Sequence, residues 1–533
     1  MPETTETPTQ RVERIKREKA SWSILDDIRR YATLGYDAIP DDDLNVRFRA
    51  WGLYTQGDGL GVRGEATRHF MMRVRTPNGI VTSDMARTIA DLSDGYARGS
   101  LDITNRQNFQ LHWLRIEDIP TVWDALAAVG WTSMGACGDN TRTVTGCPLA
   151  GVDAAEIADA SSIAVQIDHR MNGNPLYANF PRKFKISVTG CAHWCTYPEI
   201  NDIGLTAVRR GDEIGFSLRV GGGLSTRPRL GDRLDVFVPW DAVPDVVDAV
   251  AAIFRDSDEL RVQRAKARMK FLFLTHGWTP DRFLAELNAR LGYALGPAVA
   301  EVPPDGSFRD HVGVHPEKGG ASFYAGFTVA AGRISPDALR SLAVLADEYG
   351  TGSLRTTAMQ NIVVLDIPAE RLGAFQRAAA RSAAPPLEGS AFRRGILACT
   401  GSEYCKLAVA ETKRFSLDLI PELERRLPGF QSHVKIFVTG CPNACGQHWI
   451  ADIGLQGVAD GFDIFIGGGL GAAPGFADRI GVRVAAAEAA DALETLFREY
   501  LGGRSGDETF RAWTARVGPD YVKTALAMAR SQP

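Results

Sequence analysis

Alternation of apolar and polar positions is clearest in four short runs of the chain. "KFKISVTG", Lys183 to Gly190, and "VKIFVTG", Val434 to Gly440, have the period of two expected of strands. So do "FSLRVGGGLS", Phe216 to Ser225, and "FDIFIGGGLG", Phe462 to Gly471, each ending in three glycines. Two longer stretches read as strand, turn and helix: "HFMMRVRTPNGIVTSDMARTIADLSDGYA" from His69 and "SFYAGFTVAAGRISPDALRSLAVLADEYG" from Ser322. "RVQRAKARMKFL", Arg261 to Leu272, reads as a basic amphipathic helix with a solvated face, docking or cofactor contact being the alternative.

These elements come in pairs. "GSLDITNRQNFQLHWL" at Gly99 matches "GSLRTTAMQNIVVLDI" at Gly352, and "TGCAHWCTYPEINDIGLTA" at Thr189 matches "TGCPNACGQHWIADIGLQG" at Thr439. The chain is therefore an internal duplication. Each half is a small β-α-β unit followed by a larger α/β unit, an α+β class overall. The expected boundaries are a polar tail and lead-in over 1–45, a small unit over 46–120, and a large unit over 121–300. A second small unit over 301–388 and a second large unit over 389–533 complete the chain. The Pro-rich "GPAVAEVPPDGS" at Gly296 joins the halves, and "RSAAPPLEGS" at Arg381 marks a second joint.

With 533 residues, 45% of them apolar, the chain can bury several cores. A net charge of −4 argues against nucleic-acid binding, and no apolar run suggests a signal peptide or a membrane span. The cytoplasm is the expected location. No Gly-x-Gly-x-x-Gly opens a β-α-β unit, so direct binding of NAD(P)H or flavin is not expected.

The eight cysteines fall into two groups of four: Cys137, Cys147, Cys191 and Cys195, then Cys399, Cys405, Cys441 and Cys445. Such grouping in a reducing compartment points to metal rather than disulfides. "ACTGSEYC" and "GCPNAC" place four thiolates on two loops, where they can cap a four-iron cubane while Gly and Pro let backbone amides approach the sulfurs. A structural zinc is the plainer alternative, but gaps of five and three residues are unusual for zinc knuckles.

"CTGSEYC" followed by "TGCPNACGQHWIADIG" resembles the signature of the ferredoxin-dependent sulfite and nitrite reductases, and the resemblance spans nearly the whole chain. It implies two ferredoxin-like small units and two larger sirohaem- and cluster-binding units related by a pseudo-twofold. It also implies a [4Fe–4S] cluster on Cys399, Cys405, Cys441 and Cys445, with Cys445 also the axial ligand of a sirohaem iron. Arg73, Arg142, Lys183 and Lys185 fall on the family's anion-binding positions, where cations would bind the substrate and feed protons. Taken alone, Arg73 with Arg75 could be a solvated edge, and Lys183 with Lys185 the polar face of an edge strand. Arg106 is assigned to sirohaem carboxylates. It falls on Met359 of the second half, so one half grips metal and the other grips anion.

Gly221, Gly222 and Gly223, with Gly467, Gly468 and Gly469, suggest close backbone approach to the cofactor, although glycine after a strand is often only a turn. Asn443 bonds a sirohaem carboxylate or satisfies its own loop. Cys137, Cys147, Cys191 and Cys195 are read as relic or buried thiols, with a second cluster as the alternative. Against a cluster, Cys137 and Cys147 stand nine residues apart with Arg142 between them. Tyr54 is a candidate covalent neighbour of Cys137.

Lys185 stands where the family's nitrite enzymes commonly carry Asn, which leans to sulfite, since a second ammonium favours a dianion. "CTGSEYC" and "GVHPEKGGASF" from Gly313 look more like the nitrite branch. Six-electron reduction of sulfite to sulfide is the expected reaction, with nitrite to ammonia as the alternative. A precorrin-modifying oxygenase and a non-catalytic electron carrier are the remoter readings. A ferredoxin is the expected donor and a monomer the expected state.

Overall fold

The computed structural model describes residues 6–57, 68–306 and 309–530. Its four sheets have five strands each, two in the small units and two in the large.

The small units are not separate. The first sheet runs Leu53–Thr55, Phe70–Val74, Phe109–Leu114, Leu101–Ile103, and then takes Arg333–Ile334 from the second half as its edge. The second runs Gly313–Pro316, Ser322–Phe327, Ile362–Pro368, Ser353–Thr356, and takes Ile80–Thr82 from the first half. Each sheet thus covers the other's open edge, which removes an unpaired row of N–H and C=O groups. The helices Ser83–Tyr96 and Pro336–Tyr349 bury Ile89 and Leu92 with Leu339 and Leu342 in one shared core.

Two elements add to the picture the sequence gives of the first half. The helix Ile119–Ala128 straddles position 120 and buries Val122, Trp123 and Leu126 in that same core, so it belongs to the small unit. The lead-in is not merely polar: the helices Pro8–Glu18 and Leu25–Leu34 bury Ile15, Ile28 and Tyr31. Thr7 caps the first of them in a reciprocal box with Gln10. Buried Lys16 pairs with Glu13 at 2.5 Å, and Arg261 reaches the same Glu13 at 2.8 Å, tying the lead-in to the first large unit.

The large units repeat one topology. Thr145–Gly146, Ile186–Thr189 and Ile203–Arg210 are parallel, then Glu213–Val220 and Asp232–Pro239 run antiparallel. Ile396–Ala398, Ile436–Thr439, Ile453–Val458, Gly461–Ile466 and Asp478–Val484 do the same. The strands before both CxxxC loops are interior, so Lys183 and Lys185 do not lie on an edge strand. The repeated Asp-Ile-Gly-Leu fixes where each strand starts: the Lys185 amide donates to the Asp202 carboxylate at 2.8 Å, and the Lys435 amide to Asp452 at 2.7 Å.

At the pseudo-twofold, Gln107 and Gln360 both hold a left-handed backbone at φ 63°. Gln107 donates to the carbonyls of Gly146 and Thr356, and Gln360 to those of Ile103 and Ala398, so each amide stitches a small unit to its neighbours. Gln107→Ala is expected to leave buried carbonyls unpaired at a cost of about 1–3 kcal/mol, read as a lower melting temperature. An unchanged melting temperature would show that the joint does not depend on this amide.

Candidate active site

The C-terminal cysteines leave the ends of two adjacent parallel strands. Cys399 follows Ile396–Ala398, while Cys441 and Cys445 follow Ile436–Thr439. Backbone amides aim at the sulfurs: Gly440 donates to Cys399 Sγ at 3.2 Å, Leu407 to Cys405 and Asn443 to Cys441. Such donors stabilise metal-bound thiolate charge. The Asn443 side chain also bonds the Cys441 sulfur. Burial pushes the Cys405 thiol up to about 12 and Cys441 up to about 11, with the neighbouring thiols adding to the shift. Cys399, Cys405 and Cys441, which resist ionisation on their own yet are supplied with N–H donors, fit an iron–sulfur cluster that compensates their charge, with the exposed Cys445 as the fourth thiol.

Facing them from the first half is the cation set. A cavity is lined by Asn105, Arg106, Thr145, Lys185 and Asn201 on one side and by Ala358, Ala444, Cys445 and Gln447 on the other. Asn105 closes the seam by donating to the Cys445 carbonyl at 2.8 Å. Arg73 donates to Cys137 Sγ at 3.0 Å and lies in the field of Cys405 and Cys445. Arg142 is anchored by donating to the carbonyls of Ala136 and Gly138, both at 3.1 Å. Arg106 donates to Asn201 Oδ1 at 2.9 Å and to the Thr143 carbonyl at 2.7 Å.

This crowding has an electrostatic cost. Burial draws Lys183 down to about 7, and Arg268, Arg182 and Arg142 add repulsion. Lys185 is pushed well down by burial, then by Lys183 and Arg106, while burial and then Arg142 bring Arg106 to about 9. The Nε atoms of Arg106 and Arg142 are buried and unpartnered. A bound anion relieves all of these at once, which is the chemistry expected of an oxyanion or a carboxylate-rich cofactor.

One sequence reading changes. The stretch from Arg261 is not a continuous helix with a solvated face. It forms two short 3-10 turns, Asp258–Arg261 and Arg264–Lys266, before the helix Lys270–Thr275. Arg264 turns inward to Asp139 at 2.6 Å, Arg268 to Asp202 at 2.9 Å, and buried Lys270 donates to the carbonyls of Leu224 and Arg227. Arg268 acts on Arg106, Lys183 and Lys185, and periodicity alone hid it. The glycine triplets also pack closely against the chain itself. A side chain on Gly222 would collide with the carbonyl of Glu199, and one on Gly468 with that of Trp449; Gly223 and Gly469 lie against Arg268 and Arg511. Gly221 and Gly467 take left-handed turns at φ 73° and 81°.

Tyr54 and Cys137 both act on Arg73. Met359, at the position matching Arg106, is buried and accepts from the Tyr197 hydroxyl at 3.6 Å. No helix among the described residues is long and apolar enough to cross a membrane.

Thiolates presented by one half and cations by the other, around a cavity on the pseudo-twofold, define a metal-dependent enzyme acting on a small anion. The "Nitrite and sulphite reductase 4Fe-4S domain" model matches residues 137–295 and 389–531, and the "Nitrite/Sulfite reductase ferredoxin-like half domain" model matches 63–129 and 315–382. The chain belongs to the nitrite and sulphite reductase family, oxidoreductases that use sirohaem and a [4Fe–4S] cluster. Sulfite reductase [ferredoxin] 1 of Mycolicibacterium paratuberculosis is 38% identical over 521 residues, covering 92% of each chain. The assimilatory ferredoxin-dependent nitrite reductase of Haloferax mediterranei is 36% identical over 540 residues, covering 94% of this chain and 90% of its own. The solved structure of the Mycobacterium tuberculosis NirA protein superposes with a TM-score of 0.91 at 35% identity, covering 97% of this chain and 98% of its own.

Proposed function

We propose that the protein reduces sulfite to sulfide by six electrons drawn from a ferredoxin. The observation that carries this reading is the half-buried Lys185 side chain lining the same cavity as Cys445, where a bound anion would favour its ammonium form. Cys399, Cys405, Cys441 and Cys445 would hold the cluster, and Cys445 would also reach the sirohaem iron. When bound, these groups would supply the electrons for the reduction. The chain's own part is to bind the anion through Arg73, Arg142, Lys183 and Lys185, with Arg106 toward the cofactor carboxylates, and to deliver protons as oxygen leaves as water.

Nitrite is the second reading, favoured by the local likeness of "CTGSEYC" to that branch and by relatives that bear either name. Steady-state turnover of anaerobically purified, sirohaem-loaded protein with reduced ferredoxin separates the two. A higher kcat/KM for sulfite is expected; a higher value for nitrite would overturn the sulfite assignment.

Lys183 makes a pH prediction. Its ammonium is the binding form, and burial places its titration at about 7 in the free protein. The kcat/KM for nitrite is therefore expected to fall as pH rises through about 7, and Lys183→Arg to remove that limb because guanidinium stays charged. Bound anion favours the ammonium, so the limb in kcat should lie at higher pH. Nitrite is the probe because sulfite itself takes up a proton near neutrality. A wild-type profile flat from pH 6 to 9 would remove Lys183 from anion binding.

A further inference from the structure

The cysteines left over by the active site form a group of their own. The sulfurs of Cys147, Cys191 and Cys195 all lie within 4.8 Å of one another, and Cys195 reaches Cys147 at 4.0 Å. No three of the C-terminal cysteines meet that spacing. The three sulfurs sit where the first large unit packs on Tyr324, Val363 and Leu365 of the second small unit.

Matched backbone hydrogen bonds show what this group is. Gly146 pairs with Val188 as Ala398 pairs with Val438, so Cys147 is the counterpart of Cys399, and Cys137 has no part in the group. The Cys405 amide donates to the Gly401 carbonyl, and the Asp153 amide to that of Leu149, both at 2.9 Å. Val409 then donates to Gly440 at 2.8 Å, and Ile157 to Gly190 at 2.7 Å. Asp153 therefore occupies the place of Cys405. It is buried, and Arg309 grips both of its oxygens, at 2.5 and 3.2 Å. The first half keeps three corners of a cubane site and has committed the fourth to an ion pair.

Spacing decides what three sulfurs can hold. Thiolates on one tetrahedral ion, with bonds of about 2.3 Å, stand about 3.8 Å apart. Cubane corner thiolates sit on different irons and lie farther apart. We propose that Cys147, Cys191 and Cys195 bind a single zinc-class divalent cation, a second metal site that pins the first CxxxC loop against the opposite half. Binding releases the remaining thiol protons to solvent and leaves the metal's charge and oxidation state unchanged. Water or a side chain completes the tetrahedron. Buried His311, both of whose ring nitrogens lack a hydrogen-bond partner, lies in the field of Cys191 but outside the 4.8 Å spacing of the three sulfurs.

The test is elemental analysis and zinc-edge X-ray absorption of full-length holoprotein, purified without oxygen from zinc-supplemented cells and dialysed against EDTA. About one zinc per chain is expected, with three sulfur neighbours at about 2.3 Å. The variants Cys147→Ser and Cys191→Ser are expected to lose that zinc while keeping the iron and sirohaem of wild type. Zinc below about a tenth of an equivalent in the wild type would overturn the proposal. So would extra iron that disappears in Cys191→Ser, which would mean a second cluster, or a disulfide among these cysteines found by mass spectrometry after anaerobic alkylation. If the variants do not fold, the wild-type zinc count and its sulfur shell still decide the matter.

Discussion

Lys185→Asn is expected to lower kcat/KM for sulfite about 100-fold and for nitrite about 10-fold. Removing one fixed donor from an oxyanion site costs about 2.7–4 kcal/mol, and losing the charge while a neutral donor stays is placed at the bottom of that range, which sets the larger figure. The Coulomb energy of an ammonium with its ligand scales with ligand charge, so a dianion loses about twice the free energy that a monoanion does. Asparagine keeps a hydrogen-bond donor but no charge, which isolates that term. Steady-state kinetics on both substrates with one ferredoxin preparation give the ratio. Equal losses would show that Lys185 binds anions without choosing between them.

Cys405→Asp is expected to remove the cluster and lower turnover at least about 10³-fold. The prediction transplants into the second half what the first already carries, since Asp153 stands at the matching position. A single carboxylate is a poor substitute for a corner thiolate, and the amide donated by Leu407 is placed for sulfur. Iron should fall from about five per chain to about one as the cluster goes and sirohaem stays. The reduced-cluster paramagnetic signal should vanish with it. Retention of full iron and turnover would mean that Cys405 is not a ligand.

The strands that lead into the cysteine loops are legible in the sequence, and the reason is local. The CxxxC loops must follow strands, because only a strand end with Gly and small residues leaves room for sulfurs and amides to converge. The alternating runs before Cys191 and Cys441 announced that placement, and the structure has strands there. The duplication was likewise visible as repeated words, and Asp202 and Asp452 lay inside the repeated Asp-Ile-Gly-Leu without their clamping role being read.

What escaped depended on long-range packing. Arg264, Arg268 and Lys270 have the spacing of a solvated helix face, yet buried Asp139, Asp202 and two carbonyls draw them inward. The equivalence of Cys147 with Cys399 was obscured because the segments differ in length and only strand register aligns them.

The sequence by itself determined the duplicated α+β plan, the four C-terminal cysteines and the cationic half, because each is carried by residues close together in the chain. Only the tertiary structure decided that the small units exchange edge strands, that Cys445 and Lys185 share one cavity, and that Cys147, Cys191 and Cys195 converge. Those outcomes depend on which distant segments pack together, and that choice follows from burying edges, apolar faces and charges in one body rather than from local pattern.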